Sequence, residues 1–327
     1  MSEMRWHPLL EEWVITATHR QERTYHPPRS FCPFCPSRAG RAPTEVPGKD
    51  YDVVVFENRF PTFRRQPARP AVRATRLSPV RPARGVCEVV LYSPEHDLTL
   101  AGAPVEQIYK LVRVWTDRYR ELGARTFVHY VLVFENKGNA VGVTLTHPHG
   151  QIYAFPYVPP VVQRELEASR RHYSRYRRCL FCASAAEERR ARRRLLFSAE
   201  GFEAFVPFYA RWPYEVHVQP RRHVQDISQL TEAERWGLAG ILKRVAQTYD
   251  ALFGFSFPYM MVMHQRPTDG RRHAHYHFHV EFYPPHRTAE KIKYLASCES
   301  GAGSFINDTL PEETAAALRQ AARRARL

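Results

Sequence analysis

The segment Thr146-His147-Pro148-His149-Gly150-Gln151 sets two imidazoles and an amide at alternate positions. On a strand, alternate residues share a face, so His147 and His149 point the same way with Gln151 beyond them. A neutral imidazole nitrogen can attack phosphorus and form a phosphoramidate, dividing one difficult transfer into two easier ones. An amide donates a hydrogen bond to a phosphoryl oxygen without delivering a proton that would quench the nucleophile. Pro148 and Gly150 take the other face. Pro148 fixes φ, and Gly150 is read as letting a ligand approach the backbone. Taken alone, the segment fits equally well a pair of structural or metal-binding histidines.

Cys32, Cys35, His96 and His147 form a second constellation. A C-x-x-C turn brings two thiolates onto one metal, and two imidazoles complete the tetrahedron that Zn2+ adopts. Spacing does not place the two histidines, and a reduced, metal-free thiol pair is the competing reading. With a metal bound, His147 would hold the segment that bears His149.

Such residues need elements to position them, and the chain supplies the same series twice. FCPFC (31–35) precedes the strand-like YDVVVFENRFPTF (51–63) and EVVLYSPEHDLTL (88–100). A helical stretch over 104–122, the strand FVHYVLVFEN (127–136) and THPHGQIYAFP (146–156) follow. The second series runs LFCAS (180–184), LLFSAEGFEAFVPF (195–208), YEVHVQPRRHVQDISQL (214–230), a helix over 231–253, PYMMVMHQ (258–265) and YHFHVEFYPP (276–285). Cys32 and Cys35 then correspond to Cys179 and Cys182, and His96 to His223. His147 and His149 correspond to His277 and His279, and Gln151 to Glu281. The repeat therefore predicts a second zinc site at Cys179, Cys182, His223 and His277, with a disulfide or a buried thiol pair as the alternatives. A carboxylate at 281 would repel a phosphate, so the second half reads as a non-catalytic copy.

The alternating strands and short turns predict an α+β fold: a tandem pair of halves, 1–160 and 161–327, with a mostly antiparallel sheet and helices packed on one face. Residues 64–86, rich in Arg and Pro, read as a loop. Residues 311–327 read as a helix with Arg in its final turns.

Composition bounds the rest. Across 327 residues, 44% are hydrophobic, enough for a substantial core. No apolar run is long enough to span a membrane, and the N-terminus has charges where a signal peptide needs an apolar core. A cytoplasmic protein with no membrane partner is expected. The formal charge is +15, with 48 basic residues of which only six are Lys. An Arg-rich proteome of a heat-adapted organism is the leading account of that surplus. The Arg clusters at 168–178 and 188–194 alternate with Glu and Ala and read as solvated helix faces. No nucleic-acid partner is expected.

FENKGNAVGVTLTHPHGQIYAFP resembles the active-site segment of the galactose-1-phosphate uridylyltransferase family, in the histidine-triad superfamily. The resemblance runs from EEWVITATHRQER (11–23) to CESGAGSFINDTLPEE (298–313). It implies two histidine-triad-like halves in tandem and a ping-pong uridylyl transfer in the Leloir pathway of galactose metabolism. His149 would take the uridylyl group from UDP-glucose, expel glucose 1-phosphate, and pass the group to galactose 1-phosphate to give UDP-galactose. By the same resemblance Gln151 contacts the phosphoryl group. Asn136 binds the nucleotide phosphate, Thr144 stands at a small-hydroxyl position, and Asn58 is on the uridine side. Arg20 and Arg23 help bind the nucleotide. Lys293 and Glu299 contact the hexose or its phosphate, in some members from a partner subunit, so a homodimer is implied. The family's zinc ligands fall on Cys32, Cys35, His96 and His147. An iron site of some members falls on Glu165, His264, His279 and Glu281, where Glu281 departs from a histidine. Cys298 departs from a tyrosine near the sugar, which loosens the hexose assignment.

Two other readings compete. One is a phosphorylase acting on ADP-glucose or a dinucleoside polyphosphate through the same histidine. The other is a zinc-dependent nucleic-acid-binding protein, which would have no use for Gln151.

Overall fold

The computed structural model describes residues 2–23, 27, 31–40 and 42–325. The strands are β1 (Ser2–His7), β2 (Glu12–Ala17), β3 (Val54–Glu57), β4 (Val80–Pro82), β5 (Val86–Leu91), β6 (Tyr130–Lys137), β7 (His149–Phe155), β8 (Leu195–Ala199), β9 (Phe202–Phe205), β10 (Val216–Pro220), β11 (Tyr259–His264) and β12 (His279–Tyr283). The α-helices are α1 (Val105–Gly123), α2 (Pro160–Tyr176), α3 (Leu180–Ala191), α4 (Glu232–Phe253), α5 (Ser297–Ala302) and α6 (Pro311–Arg324).

Nine strands form one sheet in the order β3-β5-β7-β6-β11-β12-β10-β9-β8, with every pairing antiparallel. The order is the sequence repeat made visible: β3, β5, β7 and β6 mirror β9, β10, β12 and β11. The halves join at the middle, where Met263 faces Val133 and Tyr259 faces Lys137.

Alternation sorts the side chains by chemistry. Val131, Val133, Ile152, Ala154, Met261, Met263, Val280 and Phe282 share one buried core with α1, α4 and α6. On α1, Ile108, Leu111, Val112, Trp115, Tyr119 and Leu122 recur at helical spacing and are buried. Trp115 has no exposed surface, so truncating it to Ala would cost about 3–5 kcal/mol. A Thr231/Glu234 capping box opens α4, and Gly254 closes it at φ 77°. The opposite face of the sheet carries His149 and Gln151 in one half and His279 and Glu281 in the other. There Val162 and Leu166 of α2 pack on Tyr130 and Tyr276, beside Phe181 of α3. The α+β, mainly antiparallel expectation is met. Three helices cover the apolar face, and α2 and α3 lie on the polar one.

The 64–86 segment is not wholly a loop. Val80–Pro82 pairs with β1, completing a three-stranded sheet of β2-β1-β4. That pairing is between distant segments, and Met4 of β1 joins Phe63, Ala83 and Cys87 in a second small core.

Candidate active site

β7 begins at His149, so His147 lies just before the strand and not on it. The two imidazoles consequently do different work. His147 turns Nδ1 to Cys35 Sγ at 3.6 Å, and His96 Nδ1 lies 3.5 Å from the same sulfur. With Cys32 their ligand atoms all lie within 4.8 Å of one another. A tetrahedron with bonds of about 2.0–2.3 Å has edges of about 3.3–3.8 Å, and the two Cys35–histidine separations of 3.5 and 3.6 Å match such an edge. His147 Nε2 lies 2.8 Å from the Ser93 carbonyl and 2.9 Å from the Tyr51 hydroxyl. Donation to that carbonyl leaves the Nδ1 lone pair for a metal. Burial pushes the Cys35 thiol up to about 11, with Cys32 adding to the effect. Ionising both thiols there would need a cation beside them.

His149 faces a cavity. Its Nδ1 lies 2.9 Å from the carbonyl of His147, which puts the proton on Nδ1 and the lone pair on Nε2. Phe34, between the two cysteines, packs edge-on against His149 with ring centroids 5.0 Å apart. The cavity encloses about 580 Å3 and is lined by His149, Gln151, Asn58, Asn136 and Thr144, together with Phe31, Phe34, Phe56 and Phe60. Gln151 Oε1 accepts from Asn58 Nδ2 and Tyr153 Oη, each at 3.4 Å. Asn58 is in turn set by its backbone N–H on the Cys87 carbonyl at 2.8 Å and by its Oδ1 accepting from Phe60 N–H.

Five of the sequence-derived site residues thus meet around one cavity, and others do not. Arg20 donates to the Phe60 carbonyl at 2.8 Å, so it braces the backbone of a lining residue without itself lining the cavity. The side chain of Arg23 lies outside the described residues. Lys293 is bonded to Glu299 at 2.9 Å and to the Ile306 carbonyl, on the C-terminal segment that follows β12 and away from this cavity. Lys293 and neighbouring backbone N–H groups hold the Glu299 carboxyl at about 2. Gly150 does not make room for a ligand. A Cβ there would sit 2.4 Å from the Tyr92 hydroxyl, so that space is already filled from the apolar side of the sheet. Sequence reasoning missed the aromatic and carboxylate lining, although FCPFC and VVFENRF carry four of the aromatic rings.

The second half repeats the metal geometry. Cys182 Sγ lies 3.6 Å from His223 Nδ1 and 3.2 Å from His277 Nδ1. His277 Nε2 lies 3.0 Å from the Pro220 carbonyl, three residues before His223, as Ser93 is three before His96. Phe181 packs on His279 at 4.8 Å, the counterpart of Phe34 on His149. His279 differs from His149 in being buried against a third cluster, with Glu165, His264 and Glu281. His264 Nδ1 lies 3.0 Å from both Glu165 oxygens, and His279 Nε2 lies 3.3 Å from Glu281. Burial alone would lower the His264 imidazole, but Glu165 and Glu281 outweigh it and push it up to about 9. Among the described residues the buried Nε2 of His279 has no partner of good hydrogen-bond geometry, and its nearest acceptor is that Glu281 oxygen. Glu281 also takes the Tyr283 hydroxyl and stands 3.5 Å from Arg211.

A family model described as galactose-1-phosphate uridyl transferase, N-terminal domain, matches residues 1–159, and its C-terminal counterpart matches 165–325. A galactose-1-phosphate uridylyltransferase of Thermotoga maritima is 43% identical, covering 98% of this chain and 98% of its own length. One of Rattus norvegicus is 34% identical, covering 97% of this chain and 86% of its own. A solved uridylyltransferase superposes with a TM-score of 0.88 at 38% identity, covering 98% of this chain and 99% of that one. An ADP-glucose phosphorylase of Arabidopsis thaliana superposes at 0.73 with 24% identity and 98% of both chains covered, a likeness of fold alone.

Proposed function

The chain belongs to the galactose-1-phosphate uridyl transferase family, and from that premise we propose that it moves UMP from UDP-glucose to galactose 1-phosphate through a covalent bond to His149. It is a nucleotidyltransferase of galactose metabolism. In the first step His149 Nε2 attacks the uridylyl phosphorus. The N–P bond forms as the P–O bond to glucose 1-phosphate breaks, and the electron pair leaves on that phosphate. In the second step a phosphate oxygen of galactose 1-phosphate attacks the same phosphorus and releases Nε2. Positive charge grows on the imidazole as it becomes uridylylated, and the His147 carbonyl on Nδ1–H stabilises it. Gln151 and Asn136 supply neutral donors to the phosphoryl oxygens, and Thr144 lines the same cavity. The Nδ1 bond of His149 is the observation that carries this reading.

Residues 1–160 form the catalytic half, and 161–327 a copy without transfer chemistry, because Glu281 and a buried cluster replace Gln151 and the cavity. Zinc at Cys32, Cys35, His96 and His147 would act structurally, fixing the backbone that presents His149. A second zinc at Cys179, Cys182, His223 and His277 rests on the same donors and the same carbonyl brace. Glu165, His264, His279 and Glu281 offer two imidazoles and two carboxylates, a set suited to an iron-type ion. Lys293 and Glu299 would serve a neighbouring subunit's hexose site in a homodimer. The exposed Tyr294, Leu295 and Ile306 around them support that contact. Metal-ligating thiolates fit a reducing cytoplasm. Among the described residues no helix is long and apolar enough to cross a membrane.

The test is direct. UDP-glucose labelled in the uridylyl phosphate should leave acid-labile label on the protein, and His149→Ala should abolish it. Labelling by ADP-glucose alone, or turnover that needs inorganic phosphate instead of galactose 1-phosphate, would overturn the assignment.

A further inference from the structure

Among the described residues lining the His149 cavity there is one carboxylate, that of Glu45. A carboxylate repels a diphosphate, so it must meet another part of the ligand. The phenyl rings of Phe31, Phe34, Phe56 and Phe60 offer apolar faces for a base, and His149 with Gln151 takes the phosphorus. What remains of a nucleotide is the ribose, whose two adjacent hydroxyls are donors suited to a carboxylate acceptor, as in dinucleotide-binding folds. We propose that Glu45 binds the ribose hydroxyls and makes the enzyme select ribonucleotides over 2′-deoxyribonucleotides.

The loop carrying Glu45 is built for such a contact. The Glu45 backbone N–H donates to the Pro33 carbonyl at 2.8 Å, inside the Cys32–Cys35 turn. Ser37 binds both sides of Glu45: its hydroxyl is 3.0 Å from Thr44 Oγ1 and donates to the Val46 carbonyl at 2.7 Å. The metal-ligand turn therefore fixes this residue with respect to His149. The carboxylate is 31% exposed and 3.4 Å from Arg59, which also lines the cavity. Arg59 offsets its charge toward an incoming diphosphate while leaving the second oxygen for a hydroxyl.

This inference rests on the cavity being the nucleotide site of the transfer reaction. Its test measures binding of UMP and 2′-dUMP by calorimetry, separately from labelling of His149. A hydrogen bond to a charged group is worth about 10- to 100-fold in affinity, so the wild type should prefer UMP by that factor. Glu45→Ala should cut the preference to below about threefold, and Glu45→Gln, which keeps one acceptor, should fall between. The Glu45 backbone bond to Pro33 survives both substitutions, and an unchanged thermal midpoint would show that the loop keeps its fold. Equal affinity of the wild type for UMP and 2′-dUMP, or an undiminished preference in Glu45→Ala, would overturn the ribose role even where His149 is labelled. Loss of preference in Glu45→Ala without any His149 labelling would leave the ribose role standing and remove the transfer mechanism.

Discussion

Glu135 stands one residue before the cavity-lining Asn136, but its carboxyl points to the other face of β6. It is 3% exposed, and the hydroxyls of Tyr92 and Tyr259 donate to it at 3.2 and 3.4 Å. Burial pushes it up to about 7 from 4.5, with Lys137 offsetting only part of that shift. The sign follows from proton counting. Between these two values the folded state holds a proton that the unfolded chain has released, so the contribution to stability is complete below 4.5 and declines as the pH rises to about 7. At about 1.4 kcal/mol per pKa unit the decline is roughly 3 kcal/mol. Glu135→Gln stays neutral, so urea denaturation at pH 5 and pH 8 should show a smaller loss across that range than the wild type shows. A wild type and a variant with the same pH dependence would mean that Glu135 is ionised in the fold. Glu281 makes the contrast: His217, His264 and His279 stabilise its charge against burial and hold its carboxyl low. Two buried glutamates on one sheet are thus pushed in opposite directions, decided by which partners surround them.

At the scale of strands, Tyr92 ties the site together. Its hydroxyl fills the space under Gly150, and its ring atoms stand 3.2 Å from where a Cβ at that glycine would be. Leu91 before it pairs with His149, and Ser93 after it braces His147. Gly150→Ala should therefore displace β7 between its two chemical residues, costing about 1–3 kcal/mol by overpacking and slowing labelling of His149. Tyr92→Phe in that background removes the 2.4 Å clash with the hydroxyl and should restore part of both losses. If the double variant is no better than Gly150→Ala alone, Tyr92 is not what Gly150 accommodates. The function of Gly150 was beyond the reach of the sequence because the atom that demands a glycine is 58 positions away and arrives through sheet pairing. The same limit hid the β1–β4 pairing and put Glu45 out of view, since both depend on contacts between distant segments. By contrast the paired C-x-x-C turns, the two H-x-H segments and the helices α1, α4 and α6 were legible. Their signals are local: thiol spacing, period 3.6 and repeated order. Arg20, Lys293 and Glu299 were singled out by resemblance alone, and none lines the cavity within its own chain.

At the scale of the whole molecule, two Cys/His clusters stand at corresponding places on one sheet, and the proposed transfer chemistry uses only the first of them. The halves share the core formed where β6 meets β11, so loss of either turn should be felt as stability by the entire chain. Only the first turn touches the cavity, through Phe34 and the carbonyl of His147. Cys32→Ser and Cys179→Ser should then differ in kind. Elemental analysis should find about two zinc per chain in the wild type and one in each variant, with any iron assigned to the Glu165 cluster. Each variant should melt lower, by on the order of 10 °C if several kcal/mol of ligation is lost at about 2–4 °C per kcal/mol. Labelling at a temperature where both variants are folded should collapse in Cys32→Ser and persist in Cys179→Ser. A wild type with one zinc that Cys179→Ser leaves in place would mean that the second turn is a thiol pair. Equal loss of labelling in both variants would mean that the two halves are coupled in presenting His149, and that the copy without transfer chemistry still takes part in positioning it.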